Sequence, residues 1–179
     1  MSFSIPSILR EITPLHPAKE PIRCLIVDDD PVILELWRTV LLATKIEIAV
    51  ASTARAARQK IDTKAYDILI LDWCLDRENG SSVLDEWMCI SKGPACVVSG
   101  KLHNGDEEDI YLRGACHVLN KPIPNIVLRH IIGFYQDHIV ARRYADRVVH
   151  LEWVVYTLIL FVAVMEGPRA ITLLEGWLL

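Results

Sequence analysis

From Arg23 onward the chain alternates short, nearly unbroken apolar runs with longer stretches whose apolar positions recur every three or four residues. The runs are Cys24 to Val27, Ile46 to Ala51, Ile68 to Leu71, Ala95 to Val98 and His117 to Leu119. A strand wet on one face would alternate polar and apolar residues, so runs of this kind mark strands covered on both faces, as in parallel sheets. Between them Asp30-Pro31 offers an N-cap followed by proline at the first helical position, and Ile33, Leu34, Trp37, Val40 and Leu41 then follow at helical spacing. Ser52-Thr53, Ser81-Ser82 and Gly105-Asp106 open three more predicted helices, the last running to about Arg113, and Pro124 opens a fifth. Strand and helix alternating five times predict an α/β domain built on a doubly wound, five-stranded parallel sheet. Its functional residues belong just after the strands, at their carboxyl ends.

The flanks differ from this middle. Residues 1–21 hold Pro6, Pro14, Pro17 and Pro21 and read as an N-terminal arm with one helical turn near Ile8. Residues 22–134 form the domain, and residues 135–179 a helical extension. In that extension Ala141, Tyr144, Val148, Leu151, Val155, Leu158, Val162 and Met165 step by alternate threes and fours, the seam of a packed helix pair. Between Trp153 and Met165 the pattern is apolar nearly all round, which predicts burial. Gly167-Pro168 breaks the helix, and Ala170 to Leu179 is expected to return as a short one. The uncharged run from Trp153 to Met165 is thirteen residues long, against the roughly twenty that cross a bilayer, so a dimerisation or docking element is expected rather than a membrane span, packing on itself, on the domain or on a second chain, with a homodimer through these helices the favoured form.

Composition narrows the function. With 179 residues, 52% of them hydrophobic and 23% charged, the chain buries one core of ordinary size and is not disordered. A formal charge of -4 argues against direct nucleic-acid binding, which draws most of its affinity from neutralising phosphates. Cys24, Cys74, Cys89, Cys96 and Cys116 form no CxxC pair and no metal-ligand spacing, which points to a reducing, cytoplasmic setting. The six histidines are scattered, without HxxxH or HExxH, and the N-terminus lacks the basic and apolar regions of a secretory signal. Gly93 to Lys101 ends like a phosphate-binding loop, but its first glycine is misplaced and Leu102 stands where a Ser or Thr is needed, and no GxGxxG follows any strand.

Chemistry concentrates at the predicted strand ends. The first run ends in Asp28-Asp29-Asp30, the third in Asp72, the fourth in Ser99 and the fifth in Asn120-Lys121-Pro122. Carboxylates gathered at neighbouring strand ends repel one another unless a cation compensates them. Carboxylates with a backbone carbonyl and waters suit Mg²⁺, a hard ion that often bridges to phosphate, and a lysine and a hydroxyl aimed at the same spot suit the remaining phosphate oxygens. Asp30 reads as a helix cap. Ser99 and Lys121 taken singly read equally well as ordinary surface groups, whereas a buried strand ending in Asp72 demands compensation.

Leu25-Ile-Val-Asp28-Asp29-Asp30-Pro31, then Ile68-Leu-Ile-Leu-Asp72, Val97-Val98-Ser99-Gly100, Gly114-Ala115 and Lys121-Pro122 together resemble the receiver domain of two-component response regulators, over about Pro21 to Phe134. The resemblance implies a flavodoxin-like fold with Asp72 as phosphoacceptor. It implies that Asp28, Asp29, Asp72 and the backbone carbonyl of Cys74 hold Mg²⁺, and that Lys121 and Ser99 engage the phosphoryl oxygens. The phosphoryl donor would be a sensor histidine kinase or a histidine phosphotransfer protein. The chain departs from the family at Val118, where an aromatic residue is usual, and in a shortened stretch from Asp72 to Ser99 around Lys92-Gly93-Pro94. Cys74 and Lys101, two residues beyond Asp72 and Ser99, flank the site. The expectation is a signalling protein, not an enzyme beyond its own phosphoryl chemistry: a phosphorylation-dependent protein-interaction switch without a DNA-binding output domain. A phosphorelay intermediate and a pseudo-receiver scaffold are the alternatives.

Overall fold

The computed structural model describes residues 21–75, 78–91 and 93–166, with side chains through residue 160. The expected N-terminal arm and the returning helix at Ala170 to Leu179 lie outside these residues, apart from the last residue of the arm. Ala18–Ile139 forms one compact unit, and the chain from Val140 belongs to another.

In the first unit the strands β1 (Arg23–Val27), β2 (Glu47–Ala51), β3 (Ile68–Asp72), β6 (Ala95–Ser99) and β7 (His117–Asn120) form one parallel sheet in the order β2-β1-β3-β6-β7. A tiny antiparallel ladder, β4 (Cys74–Leu75) with β5 (Glu78–Asn79), follows β3. The helices are α1 (Pro31–Leu41), α2 (Ala54–Thr63), α3 (Ser81–Ile90), α4 (Asp106–Leu112) and α5 (Asn125–Glu166). The predicted doubly wound α/β architecture is thus the observed one.

The apolar runs are explained by burial on both sides. Ile68, Leu69, Ile70 and Leu71 are wholly inaccessible to solvent. Because side chains alternate across a strand, Leu69 and Leu71 join the core beneath α2 and α3, with Ala57, Leu84 and Trp87, while Ile68 and Ile70 join a second core beneath α1 and α5, with Trp37, Leu128 and Ile132. The Trp87 indole donates to the carbonyl of Gly93 at 2.8 Å, which satisfies the polar atom of a fully buried ring and ties α3 to the loop before β6.

Helix starts follow the predicted chemistry with one exception. Asp30 caps α1, its carboxylate accepting from the Val32 amide at 2.8 Å, and Thr53 caps α2, its hydroxyl accepting from the Ala56 amide at 3.1 Å. At α3 the expected Ser81-Ser82 cap is replaced by Gly80, which makes no side-chain cap. The reason is space: a Cβ at Gly80 would stand 2.8 Å from the carbonyl oxygen of Asp72. The side chain of Asn79 accepts from the Ser81 amide at 3.3 Å instead. The second strand starts at Glu47 rather than Ile46, because Lys45 adopts a left-handed φ of 58° and turns the chain after α1 and a short 3-10 turn.

Within the first unit α5 buries Leu128, Ile132, Tyr135 and Ile139, a stripe at steps of four, three and four. In the second unit α5 continues through Glu166. Its side chains from Val148 to Leu160 are exposed, Trp153 at 70% and Tyr156 at 74%. The burial expected of this segment is therefore not supplied by the described residues of the chain itself. Among the described residues no helix is long and apolar enough to cross a membrane.

Candidate functional site

Parallel strands all point their carboxyl ends to one edge of the sheet, and β1, β3, β6 and β7 deliver Asp28, Asp72, Ser99 and Lys121 there. The order places β1 between β2 and β3, where the winding of the sheet reverses, and a crevice opens at such a point. Register holds the groups in place. The Asp28 amide bonds the carbonyl of Ala51 at 3.1 Å, Asp72 is the partner of Val98, and the Lys121 amide bonds the carbonyl of Ser99 at 2.8 Å. The Lys121-Pro122 peptide bond is cis.

At the centre is an ammonium shared by two carboxylates. Lys121 Nζ lies 2.6 Å from Asp28 Oδ2 and 2.6 Å from Asp72 Oδ2. Each carboxylate uses its other oxygen on the backbone, Asp28 Oδ1 accepting from the Asp30 amide at 3.0 Å and Asp72 Oδ1 from the Cys74 amide at 3.0 Å. These contacts fix both carboxylates, because Asp28 is wholly buried and Asp72 nearly so, and a carboxylate removed from water persists only when fully hydrogen-bonded. Burial nonetheless pushes the Asp28 carboxyl above its usual range, with the neighbouring Asp72 adding to the rise and the Lys121 and Asp30 contacts opposing it. For Lys121 burial works against the charge, but its hydrogen bonds to Asp28 and Asp72 prevail and hold it above the ordinary ammonium range. The Trp37 ring of α1 lies under the same ammonium, 5.6 Å from Nζ to the ring centre, within reach of a cation–π contact.

Carboxylate oxygens of Asp28, Asp29 and Asp72 come within 4.8 Å of one another. Three carboxylates against one lysine leave a surplus of negative charge, and their hard oxygen donors match Mg²⁺. Asp30 belongs to a different task, as its carboxylate is spent on the α1 cap. On the other flank the buried Ser99 hydroxyl donates to the carbonyl of Lys101 at 3.0 Å and accepts from its amide at 3.2 Å. Cys74 Sγ sits 3.5 Å from Ser99 Oγ and 3.4 Å from the Lys101 carbonyl. Asp28, Asp29 and Asp72 therefore come together, Lys121 bridges Asp28 and Asp72, the amide of Cys74 faces Asp72 and Ser99 lies beside Cys74 Sγ, while Asp30 stands apart as the α1 cap. The sequence does not place Trp37 or Gly80 at the site. Helical spacing marks Trp37 as core, and nothing local to Gly80 signals that its missing side chain makes room for the backbone of Asp72.

Residues 24–133 match the family model of the response regulator receiver domain. The chain belongs to that family. Receivers of this family are phosphorylated by histidine kinases and generally bind Mg²⁺, in keeping with the acidic cluster here. The receiver is 32% identical over 102 residues to the heme response regulator HssR of Staphylococcus saprophyticus, a match covering 55% of this chain and 44% of that relative, so the chain spans less than half the length of the curated relative it matches. Among solved structures it resembles a CheY-like receiver domain from Methanospirillum hungatei, with TM-score 0.63, 22% identity, and coverage of 71% of this chain and 99% of that one. It also resembles the receiver domain of NtrX from Brucella abortus, with TM-score 0.59, 25% identity, and coverage of 64% and 98%.

Proposed function

We propose that this receiver takes a phosphoryl group onto Asp72 from the phosphohistidine of a sensor kinase or histidine phosphotransfer protein, and that the acyl phosphate switches a protein-interaction surface. An oxygen of Asp72 attacks phosphorus, the phosphorus–nitrogen bond breaks, and the imidazole leaves with its electron pair and takes up a proton. Asp28, Asp29, Asp72 and the carbonyl of Cys74 are the groups that would hold Mg²⁺, which supplies charge neutralisation for the incoming phosphoryl oxygens. Lys121, already in contact with Asp72, is placed to pair with a phosphoryl oxygen, and the Ser99 hydroxyl to exchange its bond to the Lys101 carbonyl for another. Catalysis in this reading extends to the chain's own phosphorylation and dephosphorylation.

The observation that carries the reading is the ammonium of Lys121 at 2.6 Å from both Asp28 and Asp72, at the carboxyl ends of β1 and β3. A protein partner is favoured over nucleic acid by the net charge of -4 and by four acidic residues, Asp106 to Asp109, in the first turn of α4. The free state of all five cysteines supports a cytoplasmic setting. Self-association through the C-terminal part of α5 is part of the same proposal, supported by its exposed apolar side chains. Incubation with acetyl phosphate and MgCl₂ is expected to add the mass of one phosphoryl group to the full chain, and the addition should vanish in Asp72→Asn and in EDTA. Magnesium-dependent labelling that survives Asp72→Asn would overturn the assignment.

A further inference from the structure

The segment of α5 beyond Val140 carries a repeat specific enough to define an orientation. Counted in sevens, Ala141, Val148, Val155 and Val162 take the first position, and Tyr144, Leu151, Leu158 and Met165 the fourth. None of these eight residues is charged. β-Branched residues at the first position with leucine at the fourth favour two parallel strands over other assemblies. The seam side chains Val148, Leu151, Val155 and Leu158 are 44–60% exposed, so surface remains for a second helix to cover.

The charges beside the seam discriminate between orientations. Arg147 occupies the seventh position of its repeat and Glu152 the fifth position of the next. In a parallel pair a seventh-position side chain faces the fifth position of the following repeat on the partner, five residues further on, which sets Arg147 opposite a glutamate twice per dimer. An antiparallel pair sets seventh positions against seventh and fifth against fifth, so Arg147 meets Val140, Val154, Phe161 or a second Arg147, and Glu152 meets Ala145, Ile159, Glu166 or a second Glu152, according to register. Only the parallel arrangement matches charge with opposite charge.

We propose that this stretch of α5 is a docking surface for a second copy of the chain, forming a parallel two-stranded coiled coil in which Arg147 pairs with Glu152 of the partner subunit. The proposal rests on the reading that the chain self-associates through α5, and adds orientation and register to it. Val154 and Ile159 widen the apolar strip on either side of the seam, so the contact covers more than a bare two-residue seam would.

The test uses the full chain. Light scattering across a concentration series is expected to give a dimer. Val148→Cys and Leu158→Cys, made separately and oxidised, are each expected to yield a peptide disulfide-linked to its own copy, above the background set by the native exposed Cys74, Cys89 and Cys116. Arg147→Glu and Glu152→Arg should each weaken association by about tenfold, and the double reversal should recover most of it. A dimer in which at most one of the two cysteines links to itself, or in which the double reversal restores nothing, overturns the parallel seam while leaving self-association intact. A trimer or tetramer overturns the two-stranded form. A chain that stays monomeric at all concentrations removes self-association itself, and flotation of that monomer with phosphatidylcholine and phosphatidylglycerol vesicles would assign the apolar strip to a lipid surface instead.

Discussion

Replacing Lys121 with methionine keeps the length of the side chain and removes the ammonium that joins Asp28 to Asp72. Two charge-assisted hydrogen bonds of 2.6 Å are lost, each contributing about 1.5–3 kcal/mol, and two buried carboxylates are left facing each other. Lys121 retains 20% exposure, so water recovers part of the loss, and the expected destabilisation near pH 7.5 is about 3–4 kcal/mol. Its pH dependence follows from the groups involved. The raised Asp28 value means that the native chain holds a proton more readily than the unfolded chain, so the contribution of Asp28 to stability falls as pH rises out of the carboxylate range. The raised Lys121 value means that its contribution is fully present below the ordinary ammonium range and disappears as pH rises through the folded value. In the variant the carboxylates find relief by protonation, so its deficit should shrink toward about pH 4.5, and it should lack the share of the alkaline decline above about pH 10.5 that Lys121 contributes, while keeping the share expected from the buried Cys24, Cys96, Tyr66 and Tyr135, whose values burial also raises. Urea unfolding followed by circular dichroism at pH 4.5, 7.5 and 10.5, each value about this figure and at one protein concentration, checks all three. A deficit below about 1 kcal/mol at neutral pH, or one equally large at the acidic end, would refute the reasoning.

Two further expectations need less apparatus. Gly80→Ala places a methyl group 2.8 Å from the carbonyl oxygen of Asp72 and should cost about 1–3 kcal/mol and slow phosphorylation, whereas Gly100→Ala meets nothing within 4 Å and should be nearly silent, a contrast that thermal melts and the acetyl phosphate assay read directly. Asp30→Ala removes the α1 cap and should lower stability by about 1 kcal/mol while phosphorylation of Asp72 survives; loss of labelling in a folded Asp30→Ala would make Asp30 a member of the site.

The sheet was legible because its chemistry is local and repetitive. A strand covered on both faces must be apolar throughout, as Ile68 to Leu71 is, and the first polar residue after it must lie at the sheet edge, which is why the sequence alone groups Asp28, Asp72, Ser99 and Lys121. Features that depend on packing between elements stayed hidden. Trp37 lies 5.6 Å from the Lys121 ammonium, a contact between residues far apart in the chain that helical spacing does not encode. The cap of α3 moved from Ser81 to Gly80 because the backbone of Asp72 comes close, a contact eight residues away in the chain. The ladder of Cys74–Leu75 with Glu78–Asn79 is too short for any period to show. In α5 the spacing marks a seam, but spacing alone does not say what fills it.

The alternation of Leu69 and Ile70 between two cores has a consequence for how the molecule reports on itself. Adjacent residues of β3 address opposite sides of a wall one backbone thick, so Trp73 shares the compartment of α2 and α3 while Trp37 shares that of α1 and α5. A disturbance confined to one chamber should dim the indoles on that side and spare those on the other. Trp73 and Trp87 on one side and Trp37 on the other, removed one at a time from a chain of five tryptophans, thus make an internal stereo set that tells which side of the sheet an event at its edge has travelled down.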